Sequence, residues 1–170
     1  MKDDATHSVD GAKEEAPTVK RFLPRQMDFE SLIKVLAEEH AVMEAGLARI
    51  ELSAGRLDFA GVAATLAELD PIFRQHIADE ESQILRLLIR ELGVTGAEEE
   101  IKVFQQHRPI HKLMLIVAEL AAKSAGELAG DQRQLNELFL EHASMEERGV
   151  FPKALGIYRK QGERQATERI

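Results

Sequence analysis

At 170 residues and 19.0 kDa, with 44% hydrophobic and 31% charged residues, the chain has the size and composition of one globular domain with a sizeable core. Its 22 basic and 30 acidic residues leave a formal charge of −8, which argues against nucleic acid or an anionic membrane as partner, since both need clustered Lys and Arg. Cysteine is absent, which removes disulfides, thiolate metal sites, iron–sulfur clusters and cysteine nucleophiles together, so any metal must be held by nitrogen and oxygen.

No stretch approaches the ~18 uninterrupted apolar residues of a membrane span. The first 20 residues carry acids and no apolar run, unlike a signal peptide, so the cytoplasm is the expected compartment. Few Gly and Pro, against abundant Ala, Leu, Glu, Gln, Lys and Arg, predict an all-α chain.

Residues 1–24 are polar and aperiodic and are expected to be a disordered tail. A first helix is predicted from Asp28, an N-cap, with Ile33, Leu36, His40, Met43, Leu47 and Ile50 as its apolar seam and Gly55 as the left-handed residue that ends it. A second helix is predicted from Asp58 to about Leu92, its seam Val62, Leu66, Leu69, Phe73, His76, Glu80, Ile84 and Leu87. Pro71 within it predicts a kink, or a break capped by Asp70. After Gly93–Gly96, a third helix covers roughly Ala97 to Lys123, with Phe104, His107, His111, Met114 and Ala118 inward. Gly126–Gly130 forms the next loop. Asp131 caps a fourth helix that carries Leu135, Phe139, His142 and Glu146 inward and ends near Tyr158. Short loops between four long helices predict an up-down-up-down antiparallel bundle over residues 25–160, followed by a frayed tail over 161–170.

Five of the six histidines fall in this helical region. The residue four after His40 is Glu44, after His76 Glu80, after His107 His111, and after His142 Glu146. Positions i and i+4 share a helix face, so each pair aims both side chains at one volume. An acid or histidine fills about one position in five, so four or more such matches among six histidines arise by chance roughly 2% of the time. The spacing repeats as well. His107 and His111 follow His40 and Glu44 by 67 residues, and His142 and Glu146 follow His76 and Glu80 by 66. The second half thus reproduces the first as a helical hairpin, which brings the pairs to one depth of the bundle. Phe73, Phe104 and Phe139 each lie three residues before one of these histidines and would wall the site. A lone inward histidine is most often a hydrogen-bonded core residue. A whole layer of inward imidazoles and carboxylates without a cation would bury several charges at several kcal/mol each.

The ligand types suit iron, manganese or zinc, and seven candidates exceed the demand of one tetrahedral zinc, so two metals are expected. Glu44, on a face where surface glutamates are common, is expected in solvent or behind the ligands. The ferritin-like Glu-x-x-His pattern is not met, because the positions three before the histidines hold Ala37, Phe73, Phe104 and Phe139.

The full set resembles the hemerythrin and HHE cation-binding family. That family's pattern has one His on helix 1, His-x-x-x-Glu on helix 2, His-x-x-x-His on helix 3, and His plus a carboxylate one turn later on helix 4. Here His40, His76 with Glu80, His107 with His111, and His142 with Glu146 supply it, and the run His142 to Pro152 resembles the family's HIxxEExxLFP signature. The resemblance spans about residues 28–158. It implies a non-haem centre of two irons, with His107, His111 and His142 on one, His40 and His76 on the other, and Glu80 and Glu146 bridging. It further implies that the two-histidine iron, a ligand short, takes O2 or NO for storage, delivery or sensing. The alternative it implies is an enzyme acting on peroxide or NO, or an iron donor in repair of damaged iron centres. Two departures stand out. Position +5 after His142 is Glu147 where oxygen carriers have Asp, and Pro109 lies between His107 and His111, where it removes a backbone hydrogen bond and would let one of the two turn away.

Overall fold

A computed structural model describes residues 22–124 and 127–168. Most of the expected N-terminal tail, residue 126 of the expected third loop with residue 125 before it, and residues 169 and 170 of the expected C-terminal tail lie outside the described residues. Every regular element described is helical, and the elements form four rods. The first rod is α1 (Phe29–Gly55). The second joins α2 (Phe59–Asp79) to α3 (Arg86–Gly96) through a π-helical turn, Glu80–Leu85. The third comprises α4 (Glu98–Phe104) and α5 (His107–Ala122). The fourth joins α6 (Leu128–Met145) to α7 (Phe151–Thr167) through a second π-helical turn, Glu146–Val150. α1 packs on α2, α2 on α5, α5 on α6, and α6 back on α1, which closes the four-helix bundle expected from the periodicity. None of these helices is long and apolar enough to cross a membrane.

Local chemistry sets the ends. The Asp28 carboxylate accepts from Ser31 N–H at 2.9 Å and starts α1, and Asp58 does the same for Gly61 at the start of α2. The left-handed residue between them is Leu57, with φ 57°, not the expected Gly55, which stays helical. The turn holds it there through Leu57 N–H to Ala54 O at 3.0 Å and Asp58 N–H to Ser53 O at 2.9 Å. α2 passes Pro71 unbroken, because buried Leu69 and Phe73 anchor both flanks; Asp70 caps nothing. Gly93, at φ 71°, kinks the chain within α3, in a conformation that glycine alone adopts without a Cβ penalty.

The third rod departs most from the expected continuous helix. Pro109 cannot donate to the carbonyl four residues back, at Gln105, and the helix yields at Gln105 and Gln106. A new helix begins with Ile110 N–H bonding Gln106 O at 3.1 Å, so His107 lies in the first turn of α5. Its buried stripe is His107, Ile110, Met114, Val117 and Ala121, and the stripe predicted through His111 and Ala118 lies to one side. The fourth rod starts at Leu128, three residues ahead of the expected cap Asp131, and extends to Thr167. Much of the expected C-terminal tail is therefore exposed helix with no proline to stop it.

The core is in two parts. One contains Met43, Leu47, Leu66, Phe73, Ile110, Met114, Leu135 and Phe139. The other contains Leu32, Leu36, Ile84, Leu88, Phe104, Val150 and Phe151. The inward histidines and glutamates lie in sequence between these two sets on all four rods. α1 and α2 approach closely at Gly46, where an added Cβ would lie 2.7 Å from both Leu69 methyl carbons.

That contact makes a test of the packing. Gly46→Val should overpack the α1–α2 interface and cost about 1–3 kcal/mol in denaturant unfolding. Gly156→Ala, on α7 where a Cβ meets nothing within 4 Å, should instead stabilise by about 0.5–1 kcal/mol.

Candidate metal centre

Four imidazoles and two carboxylates meet between the two apolar clusters. α1 brings His40, α2 His76, α5 His107 and α6 His142, while Glu80 and Glu146 open the two π-helical turns. All six are 3% exposed or less. They form two groups of possible ligands, His40, His76, Glu80 and Glu146, and Glu80, His107, His142 and Glu146. Within each group the ligand atoms lie within 4.8 Å of one another. Both carboxylates belong to both groups. Glu80 turns Oε1 to His76 Nε2 at 3.3 Å and Oε2 to His107 Nε2 at 3.0 Å. Glu146 turns Oε2 to His40 Nε2 at 3.1 Å and Oε1 to His142 Nε2 at 3.2 Å. The π turns matter here. Each adds a residue to the helical turn, so that Glu80 and Glu146 stay on the inner face while Glu81 and Glu147 reach sideways to a neighbouring rod.

Every one of the four imidazoles presents Nε2 inward and Nδ1 outward to an acceptor. His40 Nδ1 lies 3.0 Å from Glu147, His76 Nδ1 3.2 Å from Glu39, His107 Nδ1 3.2 Å from Glu81, and His142 Nδ1 3.3 Å from the Gln106 carbonyl oxygen. Carboxylates only accept, so the Nδ1 protons of His40, His76 and His107 donate outward and leave each inner nitrogen a lone pair. The interior is therefore acceptor facing acceptor. Both oxygens of Glu80, both of Glu146, and Nε2 of His107 and His142 are buried without a hydrogen-bond donor. Buried orphan acceptors cost several kcal/mol unless something positive sits among them. A cation of the type that imidazole and carboxylate suit would satisfy them all, so the residues present fit a metal.

Not every predicted residue joins. His111 sits about one-third exposed, with Nε2 3.0 Å from Asp70 Oδ1, away from the six. The helix break at Gln105 and Gln106, ahead of Pro109, turns α5 so that Ile110, one step earlier than His111, takes the buried position. Glu44 is exposed, as expected. Phe73 and Phe104 lie edge-on to His107 at 6.2 and 5.6 Å and Phe139 to His40 at 6.0 Å, while Phe151 stacks on His40 at 5.7 Å. Sequence reasoning missed the outer partners Glu39, Glu81 and Gln106. The signal was available: each adjoins one of the six clustered residues, and Glu81 with Glu147, like Glu39 with Gln106, keeps the 66–67-residue repeat. It also missed Arg25, which pairs with Glu39 and, through its backbone N–H, with buried Asp79 at 2.6 Å.

Residues 31–154 match the family model described as the hemerythrin HHE cation-binding domain. The chain belongs to that family. No curated protein and no solved structure matches it. A hemerythrin-type domain is a cation-binding domain, and the His/Glu layer is a part of this one that could hold a cation.

Without a cation, protons serve as the counter-charge of the hemerythrin-type layer. Burial presses the His76 imidazolium down, but the Glu80 charge, with Glu146 and Glu39, outweighs it and holds the group well above its usual range. Burial acts the same way on His107, and its contacts to Glu80 and Glu81 overcome it, raising the group to about 9. Glu80 is held well below the usual carboxylate range, because the His76 charge and the His107 contact exceed the cost of burial. His142 goes the other way: burial pushes it down to about 4, only partly opposed by Glu146.

The signs fix a pH profile for the metal-free chain. His107 binds its proton more tightly folded than unfolded, so its contribution is complete below about pH 6.5 and is lost as pH rises towards 9. His142 contributes above about pH 6.5 and loses that contribution as pH falls towards 4. Melting temperature of the chelator-treated chain should therefore peak near pH 6.5 and fall on both sides. A profile still rising to pH 9 would contradict this electrostatic reading.

Proposed function

We propose that this chain is a dinuclear non-haem iron protein that binds a small diatomic ligand, O2 or NO, for storage, delivery or sensing. One observation carries the reading: each of the two buried carboxylates divides its oxygens between the His40/His76 pair and the His107/His142 pair. A carboxylate that serves one metal does not need that division, and two that share it are what two adjacent sites with common walls would require. On this reading His40 and His76 hold one iron, His107 and His142 the other, and Glu80 and Glu146 bridge them. His111 is left on Asp70, so the set has six ligands rather than seven. Each iron would be held by two imidazoles and two carboxylate oxygens of this chain, which would leave room for a further ligand. Iron bound there supplies the redox-active centre that a diatomic ligand requires.

The chain's own residues do the rest. Glu147, Glu39, Glu81 and Gln106 hold the four rings in one tautomer and one orientation, so the inner nitrogens need no rearrangement to take up metal. Phe73, Phe104, Phe139 and Phe151 exclude bulk water and limit what reaches the centre to small, weakly polar molecules. Anaerobically iron-loaded protein should change its visible spectrum on adding O2 or NO and recover it when the gas is removed. Retention of zinc and no iron from iron-replete cells would overturn the iron assignment.

Substitutions separate the roles. Glu80→Ala and Glu146→Ala each remove a ligand shared by both metals. Each should weaken iron binding beyond the ~10–100-fold typical of losing an outer partner. Glu44→Ala and His111→Ala should keep the full iron content of the parent. Iron loss in His111→Ala with retention in Glu146→Ala, measured by metal analysis, would contradict the ligand assignment.

A further inference from the structure

The outer partners of the four imidazoles follow the internal repeat in position but not in charge. Glu81 and Glu147, 66 residues apart, stand behind His107 and His40. Glu39 and Gln106, 67 apart, stand behind His76 and His142. Three are carboxylates and the fourth is a neutral amide. The contrast is widest between the mates: Glu39 has a side chain 13% exposed and is held between Arg25 and His76. An anionic acceptor behind Nδ1–H draws the proton outward and enriches Nε2 as a donor to metal; an amide oxygen does so much less.

Gln106 also borders open space, as do the more exposed Glu81 and Glu147. It lines a cleft of 610 Å³ between α4 and the second π-helical turn, walled by Val103, Met145, Gly149 and Val150, so the cleft ends one hydrogen bond from His142. A second cleft, of 600 Å³, is lined by Glu81, the partner of His107. Each cleft is thus lined by the outer partner of one imidazole of the same pair. On the opposite side, Glu39 lies under Arg25, whose backbone carbonyl accepts from Gln83 Nε2 at 3.1 Å.

Resting on the dinuclear reading, we infer that the two metal positions are unequal. The metal between His107 and His142 is the exchangeable one that accepts outside ligands. Gln106 is the positioning residue that makes it so, and the cleft beside Gln106 is its route to solvent. The metal between His40 and His76 is the retained one.

The full chain, loaded anaerobically with iron(II), is mixed with an excess of a coloured iron(II) chelator and release is followed in time. The parent should release iron in two phases of similar amplitude. Gln106→Glu should slow the fast phase ~10-fold, the low end for an outer partner, and leave the slow phase in place. Glu39→Gln, the mirror change, should speed the slow phase towards the fast one. Gly149→Phe puts a ring into the cleft at a position where a Cβ meets nothing within 4 Å, and should slow the fast phase without altering either amplitude. A substitution that merely loosened the fold would speed release, so slowing by Gln106→Glu reports on the amide itself. One phase in the parent, or a fast phase that Gln106→Glu does not slow, overturns the inference while the dinuclear reading stands. Failure to take up iron in the loading step overturns that reading and the inference with it.

Discussion

Four imidazole lone pairs and two carboxylates point at one another across a space closed to water, and the rest of this bundle is arranged around that arrangement. Left alone, the layer would be a sheet of buried acceptors without donors, an expensive object in a domain whose net stability is only about 5–15 kcal/mol. Its survival depends on positive charge, supplied as protons on His76 and His107 or as metal. The outward Nδ1 hydrogen bonds make the choice of metal a favourable one, because they commit each ring to its metal-binding face before any cation arrives. Binding and folding are then linked: whatever occupies the layer stabilises the fold by its own affinity.

The same constraint explains features that otherwise look unrelated. The two π-helical turns begin at the two glutamates because an ordinary helix could not aim consecutive acids at the centre and at the next rod. The apolar core is in two parts because the polar layer cuts through it. The strap ahead of α1 is docked, with Gln75 donating to Leu23 O and Arg25 to Asp79 and Glu39, because Glu39 needs fixing behind His76. Arg25 therefore acts on the centre from two bonds' remove, through a carboxylate that is itself no ligand.

Much of this was legible in the letters. Periodicity located four helices, and the 66–67-residue repeat picked out His40, His76, Glu80, His107, His142 and Glu146 without any contact information. What escaped had physical causes. His111 has the same i+4 credentials as Glu80, but Pro109 takes away a backbone donor and the helix re-forms on a different stripe, one that Ile110 and Val117 fill better than His111 and Ala118. The extra residue of each π turn leaves no mark in hydrophobic spacing, since Ile84 and Leu87 are inward either way. Outer partners escaped because Glu39, Glu81 and Gln106 sit beside ligands on faces that read as solvated, and reach their imidazoles on neighbouring rods. Leu57 in a left-handed turn escaped because Gly55 was the better local candidate and hydrogen bonds to Ser53 and Ala54 decided otherwise.

The central claim is that one buried layer of six ligands encloses two cations that share Glu80 and Glu146. Crystals of the iron-loaded chain, measured on both sides of the iron absorption edge, test it most directly. The account predicts two anomalous peaks, one between His40 and His76 and one between His107 and His142, with an oxygen of each glutamate on each peak and His111 still on Asp70. A single peak, or a second peak ligated by His111 in place of a shared carboxylate, would contradict it.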